Sequence, residues 1–269
     1  MNKLVTITSL ILIYLISIFS GCVDDSQNDK LDEIYVNLDG SADFISIQDA
    51  INASKDNVFI YVRSGTYYES IIIDRPINLI GEGRDKTIIS GKYLDYNVES
   101  IITINTEFCK VQGFMLKEST NSNLDGIKAA YSSNNSIINN SIIGLDHGIY
   151  LSSRSDYNLV KNNLVQNNTY GIRIQLSEHN NVIENTVINN SRGVYCCCSA
   201  MFNEIHFNNF YENRDYSGIE TTGLVNYWNN NYWDDYTGVD DDNDGFGDTP
   251  YNIPRNDNKD SNPLMNPIE

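Results

Sequence analysis

From residue 126 onward, short apolar runs alternate with Asn, Ser and Gly at a fixed period. Gly126-Ile127-Lys128, Gly148-Ile149-Tyr150-Leu151, Gly171-Ile172-Arg173-Ile174 and Gly193-Val194-Tyr195-Cys196 recur at steps of 22, 23 and 22 residues. A second register, Asn135, Asn158, Asn181 and Asn203, steps by 23, 23 and 22. Within each unit the apolar positions alternate with polar ones, a period of two that belongs to strands and not to helices. A unit this small cannot bury its own apolar face, so it must stack on its neighbours. The pattern therefore predicts an all-β chain, a single-stranded parallel β-helix (solenoid) whose coils lie about 4.8 Å apart. Equivalent positions become ladders. Ile127, Ile149, Ile172 and Val194 stack inside, as do Ala129, Leu151, Ile174 and Cys196, while Asn side chains bond from coil to coil at the turns.

The two ends of the chain read differently. Phe44, Ile47, Ala50 and Ile51 fall at helical spacing behind Ser46-Ile-Gln-Asp49, a capping-box pattern. A short amphipathic helix there would cover the open edge of the first coil. Residues 1–22 have a basic start, an apolar run from Leu4 to Ile18 and the ending Ser20-Gly21-Cys22. They predict an export signal with a lipobox-like end and lipidation at Cys22, the alternative being a plain cleaved signal or an N-terminal anchor. Residues 23–33 form a polar linker, 34–225 the parallel β-helix, and 226–269 a C-terminal cap rich in Tyr, Trp and Asp.

Composition narrows the function. Of 269 residues, 38 are Asn and 34 Ile, which suits turns and strands. The 36 acidic residues outnumber the 18 basic ones, for a net charge of -18. No nucleic acid is expected as a partner, because phosphate binding needs clustered Lys and Arg. Docking to anionic lipid is disfavoured for the same reason, so the membrane is met only through the N-terminal lipid anchor. An apolar content of 41% supports a core and excludes a disordered chain.

Two stretches carry a resemblance. The segments Asp43-Phe-Ile-Ser-Ile-Gln-Asp-Ala-Ile-Asn, Val58-Phe-Ile-Tyr-Val-Arg-Ser-Gly-Thr-Tyr-Tyr-Glu and Ile77-Asn-Leu-Ile-Gly-Glu-Gly-Arg-Asp-Lys-Thr-Ile-Ile resemble the opening of pectinesterase-like right-handed parallel β-helices. The Asn/Gly repeats, with Asn226-Tyr-Trp, Asn231-Tyr-Trp-Asp-Asp-Tyr and Asp248-Thr-Pro-Tyr-Asn-Ile-Pro, resemble the NosD-like family. The resemblance implies a right-handed helix of the kind found in carbohydrate-binding proteins and sugar hydrolases. It specifies fold more than chemistry. The central Gln-Asp-Thr and Asp-Phe-Ile-Phe-Gly catalytic segments of pectinesterases have no counterpart here.

Candidate chemistry lies on one outer face. Two positions after each repeat Gly stand Lys128, Tyr150, Arg173, Tyr195 and Glu220, and just before it Asp125, His147, Tyr170, Arg192 and Ser217. Lys128, His147, Tyr150, Tyr170, Arg173, Arg192 and Tyr195 would make an aromatic and basic surface for a polysaccharide, with Arg pairing a uronate. The plainer alternative is that outward strand positions favour Tyr and Arg anyway. Asp125 and Glu220 are four coils apart, too far for the paired carboxyls of a glycosidase. Glu184 and His206 occupy equivalent places in adjacent coils and would form a surface ion pair. The reading leans toward a protein that is not an enzyme, with a uronate polymer lyase or esterase as one alternative. Another is a NosD-like accessory of copper-site maturation. Copper is not expected here: His147, His179 and His206 fall at different phases of the repeat. In Cys196-Cys197-Cys198, alternation turns Cys196 and Cys198 inward and Cys197 outward. Calcium has a better candidate in the tail, where Asp240, Asp242, Asp244, the Phe246 carbonyl and Asp248 follow calcium-loop spacing. Oligomeric state is left open.

Overall fold

A computed structural model describes residues 33–119, 123–221, 223, 225–255 and 257–269. The signal, Cys22 and nearly all of the linker lie outside the described residues. Among those described, no helix is long and apolar enough to cross a membrane.

The repeats wind into a right-handed parallel β-helix with three sheets, of 11, 8 and 7 strands. One coil contributes one strand to each. For the coil starting at the seven-stranded sheet these are Asp125–Ala130, Ser136–Ile138 and Ser141–Ile143. The next coil repeats them as His147–Ser152, Leu159–Lys161 and Leu164–Gln166. The interior ladders form as expected. Ile127 pairs in register with Ile149, Ile149 with Ile172 and Ile172 with Val194, and all are buried. Each such side chain contributes about 1.5–3 kcal/mol of hydrophobic stabilisation.

Three Asn ladders line the three corners. Asn135, Asn158, Asn180, Asn203 and Asn226 form the first, each backbone N–H donating to the next residue's Oδ1 at 2.9–3.1 Å. Asn140, Asn163, Asn185, Asn208 and Asn231 form the second, and Asn168, Asn190 and Asn213 the third. The ladder member is Asn180, which corrects the expected Asn181; Asn181 instead opens the strand Asn181–Ile183. Asp260 closes the second ladder. Its buried carboxylate accepts from Asn230 N, Asn231 N, Asn231 Nδ2 and Trp233 Nε1 at 2.8–3.0 Å.

The helix Ile47–Ala53 forms where expected, with the Ser46 Oγ accepting from Asp49 N. The Glu69 carboxylate takes the N–H groups of Ile47 and Gln48, satisfying donors a helix start leaves open. The Gln48 amide bonds both N–H and C=O of Ile72, filling the edge of the strand Ile71–Ile73 as a neighbouring strand would. The segment set apart from residue 226 begins with Tyr227–Asn229 and Tyr232–Trp233, strands of the 11- and 8-stranded sheets.

Candidate functional site

The outer face of the seven-stranded sheet carries the chemistry. Its strands Asp125–Ala130, His147–Ser152, Tyr170–Gln175 and Arg192–Cys197 have six residues each, against three in most neighbouring strands of the other sheets. Parallel register places Lys128, Tyr150, Arg173 and Tyr195 in one row and His147, Tyr170 and Arg192 in the next. In the following coil the rows continue with Ile219 and Tyr216, which corrects the expected Glu220 and Ser217. Glu220 instead pairs with Cys196 and is buried. Its carboxylate accepts from Trp228 Nε1 and from Asn258 Nδ2.

Rings and cations interleave along the rows. The Arg173 guanidinium lies 5.1 Å from the Tyr150 ring, 5.4 Å from Tyr170 and 5.7 Å from Tyr195. Arg192 lies 5.0 Å from Tyr170 and 5.5 Å from Tyr195, and its Nη1 donates to the Tyr170 hydroxyl at 2.6 Å. Cation–π attraction of this kind supplies about 0.5–2 kcal/mol per contact. Neither guanidinium has a carboxylate within 4.0 Å among the described residues, and the buried Nε of each lacks a hydrogen-bond partner. Lys128 differs: its Nζ is tied to Glu99 Oε2 at 2.6 Å.

Beneath the rings lies a polar relay. His147 is 7% exposed and stacks between Tyr150 and Tyr170, ring centroids 4.6 and 4.7 Å away. Its Nε2 faces Arg173 Nη1 at 3.1 Å and its Nδ1 faces Asp125 Oδ1 at 2.6 Å, with Asp146 Oδ2 at 3.4 Å. A guanidinium can only donate, so Nε2 accepts and Nδ1–H donates to Asp125. Burial pushes the Tyr150 phenol up, against the opposing pull of Arg173. The phenol stays neutral and donates to Gln175 Oε1 at 2.5 Å. The sequence names these residues one by one as outward positions. Their mutual contact depends on side-chain rotamers, which a repeat period does not encode.

The remaining candidates disperse. His179 stacks between Tyr157 and Phe202 at a corner. His206 bonds Asn181 Oδ1, and burial pushes its imidazole down. Glu184 pairs with Lys161 Nζ at 3.1 Å, and Ile183, one residue earlier, stands opposite His206. The expected Glu184–His206 pair is therefore absent. Cys196 faces inward as expected, and Cys197 lies outside the apolar core, covered on the outer side by Arg173; Cys198, expected inward, is exposed. The strand ends at Cys197, and Cys198 turns out with φ +55. Burial raises the Cys197 thiol despite its contact with Arg173. In the tail, one carboxylate oxygen from each of Asp240, Asp242 and Asp244 lies within 4.8 Å of the others. Asp248 is not in that group, its Oδ2 accepting from Asp241 N, and Phe246 N donates to Asp244 Oδ1.

A family model described as "Periplasmic copper-binding protein (NosD)" matches residues 20–238. Among curated proteins, probable pectinesterase 56 of Arabidopsis thaliana is 35% identical over 105 residues, covering 35% of this chain and 35% of that protein. The first relatives found, also plant pectinesterases, are spanned over only 14% and 10% of their length. Among solved structures, the pectin methylesterase PemA of Erwinia chrysanthemi superposes with a TM-score of 0.53 at 14% identity, covering 78% of this chain and 72% of that one. ORF18 of Geobacillus virus E2 gives 0.57 at 16% identity, over 68% and 45%. At these identities the structural likeness shows the fold alone.

Proposed function

The chain belongs to the NosD family, and from that premise we propose that it is an exported β-helix protein that binds acidic polysaccharide along the outer face of its seven-stranded sheet without transforming it. The observation that carries this reading is the pair Arg173 and Arg192. In a chain of net charge -18, both guanidinium groups stand among tyrosine rings with no carboxylate partner among the described residues. A uronate carboxylate would supply the missing acceptor and a sugar ring would lie against Tyr150, Tyr170 or Tyr195. The word "pectin" in the names of the relatives supports a polysaccharide ligand. Binding without catalysis is supported by the placing of the acids, since Asp125 and Asp146 both face His147 and Glu220 is inside. Retention on polygalacturonate tests the reading. Arg173→Ala or Arg192→Ala should weaken it about 10- to 100-fold, the worth of a charged hydrogen bond. Unchanged retention in both variants would overturn the proposal, and release of methanol or unsaturated ends would favour an esterase or lyase instead.

The family's description names copper, and the described residues do not bring together a set that fits it. Copper sites draw on thiolate, thioether and imidazole ligands brought together. Among the described residues, the groups that bring three ligand atoms together are Asp125, Asp146 and His147, and Asp240, Asp242 and Asp244. Neither has a thiolate or a second imidazole. Both nitrogens of His147 are engaged, by Asp125 and Arg173. The proposal keeps calcium for the tail, where the convergence of Asp240, Asp242 and Asp244 offers the hard oxygens that ion prefers.

A further inference from the structure

His147 is buried against Arg173, its Nε2 3.1 Å from the guanidinium. Every group around it is accounted for. The preceding strand Asp125–Ala130 supplies Asp125, 2.6 Å from Nδ1, and Lys128, which is neutralised by Glu99. Asp146, next in the chain, approaches Nδ1 at 3.4 Å, and Tyr150 covers one ring face. The following strand Tyr170–Gln175 supplies Tyr170 over the other face and Arg173 at Nε2. Because Arg173 donates at 3.1 Å, the imidazole there is neutral with its lone pair toward the guanidinium. A proton on Nε2 would set two cationic donors against each other at that distance, and the contact would break. Among the described residues nothing else fixes Arg173 by a directed charge: its further contacts there are tyrosine rings and the Cys197 sulfur.

We propose that His147 is a positioning residue that holds Arg173 in its ligand-receiving place while neutral and releases it when protonated, so that acid weakens anion binding on this face. The consequence for binding rests on the reading of the face as an acidic-polysaccharide site; the contact between His147 and Arg173 does not.

Two measurements test this on the full chain. The first needs no glycan. Nitrogen-15 NMR of the histidine rings at about pH 8, with His147 assigned through His147→Gln, should show Nδ1 protonated and Nε2 bare. An Nε2–H tautomer would overturn the proposal. The second follows polygalacturonate affinity from about pH 8 to about pH 5, over which wild type should lose about tenfold or more. His147→Gln can accept from Arg173 and donate to Asp125 but cannot titrate. It should keep the high-pH affinity within about twofold and lose the pH dependence, while His147→Ala should bind weakly throughout. Identical pH profiles for wild type and His147→Gln would sink the switch. If wild type bound no polygalacturonate at any pH, the polysaccharide reading would fall, and the NMR result alone would decide the role of His147.

Discussion

Asparagine does two jobs in this chain, on neighbouring residues. At most corners one residue takes left-handed backbone and the next sends its side chain into a ladder. Asn139, Asn162, Asn167 and Asn189 have φ between 52 and 59 and precede the ladder members Asn140, Asn163, Asn168 and Asn190. Tyr157, His179 and Phe202 take the left-handed place before Asn158, Asn180 and Asn203. Bulky side chains are rare there, and these three form one stack of rings. The Asn excess and its structural role were legible in the composition. Asn180 and Asn181 were not separable, because adjacent Asn residues look alike until the left-handed His179 marks the corner. That one-residue slip also produced the expected Glu184–His206 pair. Asn163→Ala would leave Asn140 N without its acceptor and remove donors to Ile137 O and Asn185 Oδ1. Such a buried loss should cost about 2–4 kcal/mol, read as a lower urea midpoint with an unchanged slope; an unchanged midpoint would contradict the ladder's role.

The period marker Gly proves to be a packing requirement of the strands. Gly148 and Gly171 carry no unusual backbone angle, yet a Cβ on either would lie 2.6 Å from the carbonyl oxygen of the glycine one coil on. Gly171→Ala should therefore force the coils apart and destabilise by about 1–3 kcal/mol. A melting temperature equal to wild type would refute the close approach. The repeat of this glycine makes the strand order readable in the sequence. The helix over Ile47–Ala53 was equally readable from its apolar spacing, but its anchors were not. Glu69 and Gln48 reach partners 21 to 24 residues away in sequence, and no local pattern announces a contact of that separation. The candidate site falls between these cases: its rows of Tyr and Arg follow from the period, and the turned-in Asp125 and His147 do not.

Across the whole molecule, charge is unevenly placed. From Asp234 to Glu269 there are 10 acidic and 2 basic residues, while the face bearing Arg173 and Arg192 gathers cations. Coulombic crowding from Asp244 raises Asp242 although the Asp244 N–H works the other way. If calcium relieves that crowding, the melting temperature should rise with added calcium and fall with EGTA, and less so in Asp242→Ala. Insensitivity to both would remove calcium from the account. The same end of the molecule closes the core with aromatic side chains, Trp233 stacking on Phe210 at 4.4 Å and on Tyr251 at 4.1 Å. It also closes the second ladder, and that ladder has a direction. Its backbone N–H groups all donate toward the later coil, from Asn140 through Asn231 to Asp260. Each coil of that ladder therefore offers a backbone donor that is met only from the coil after it, and at the last rung a carboxylate, which accepts without donating, takes that place. A coil parted from its successor would stay adhesive at that corner, and Asp260 is what quenches the last such edge of this ladder.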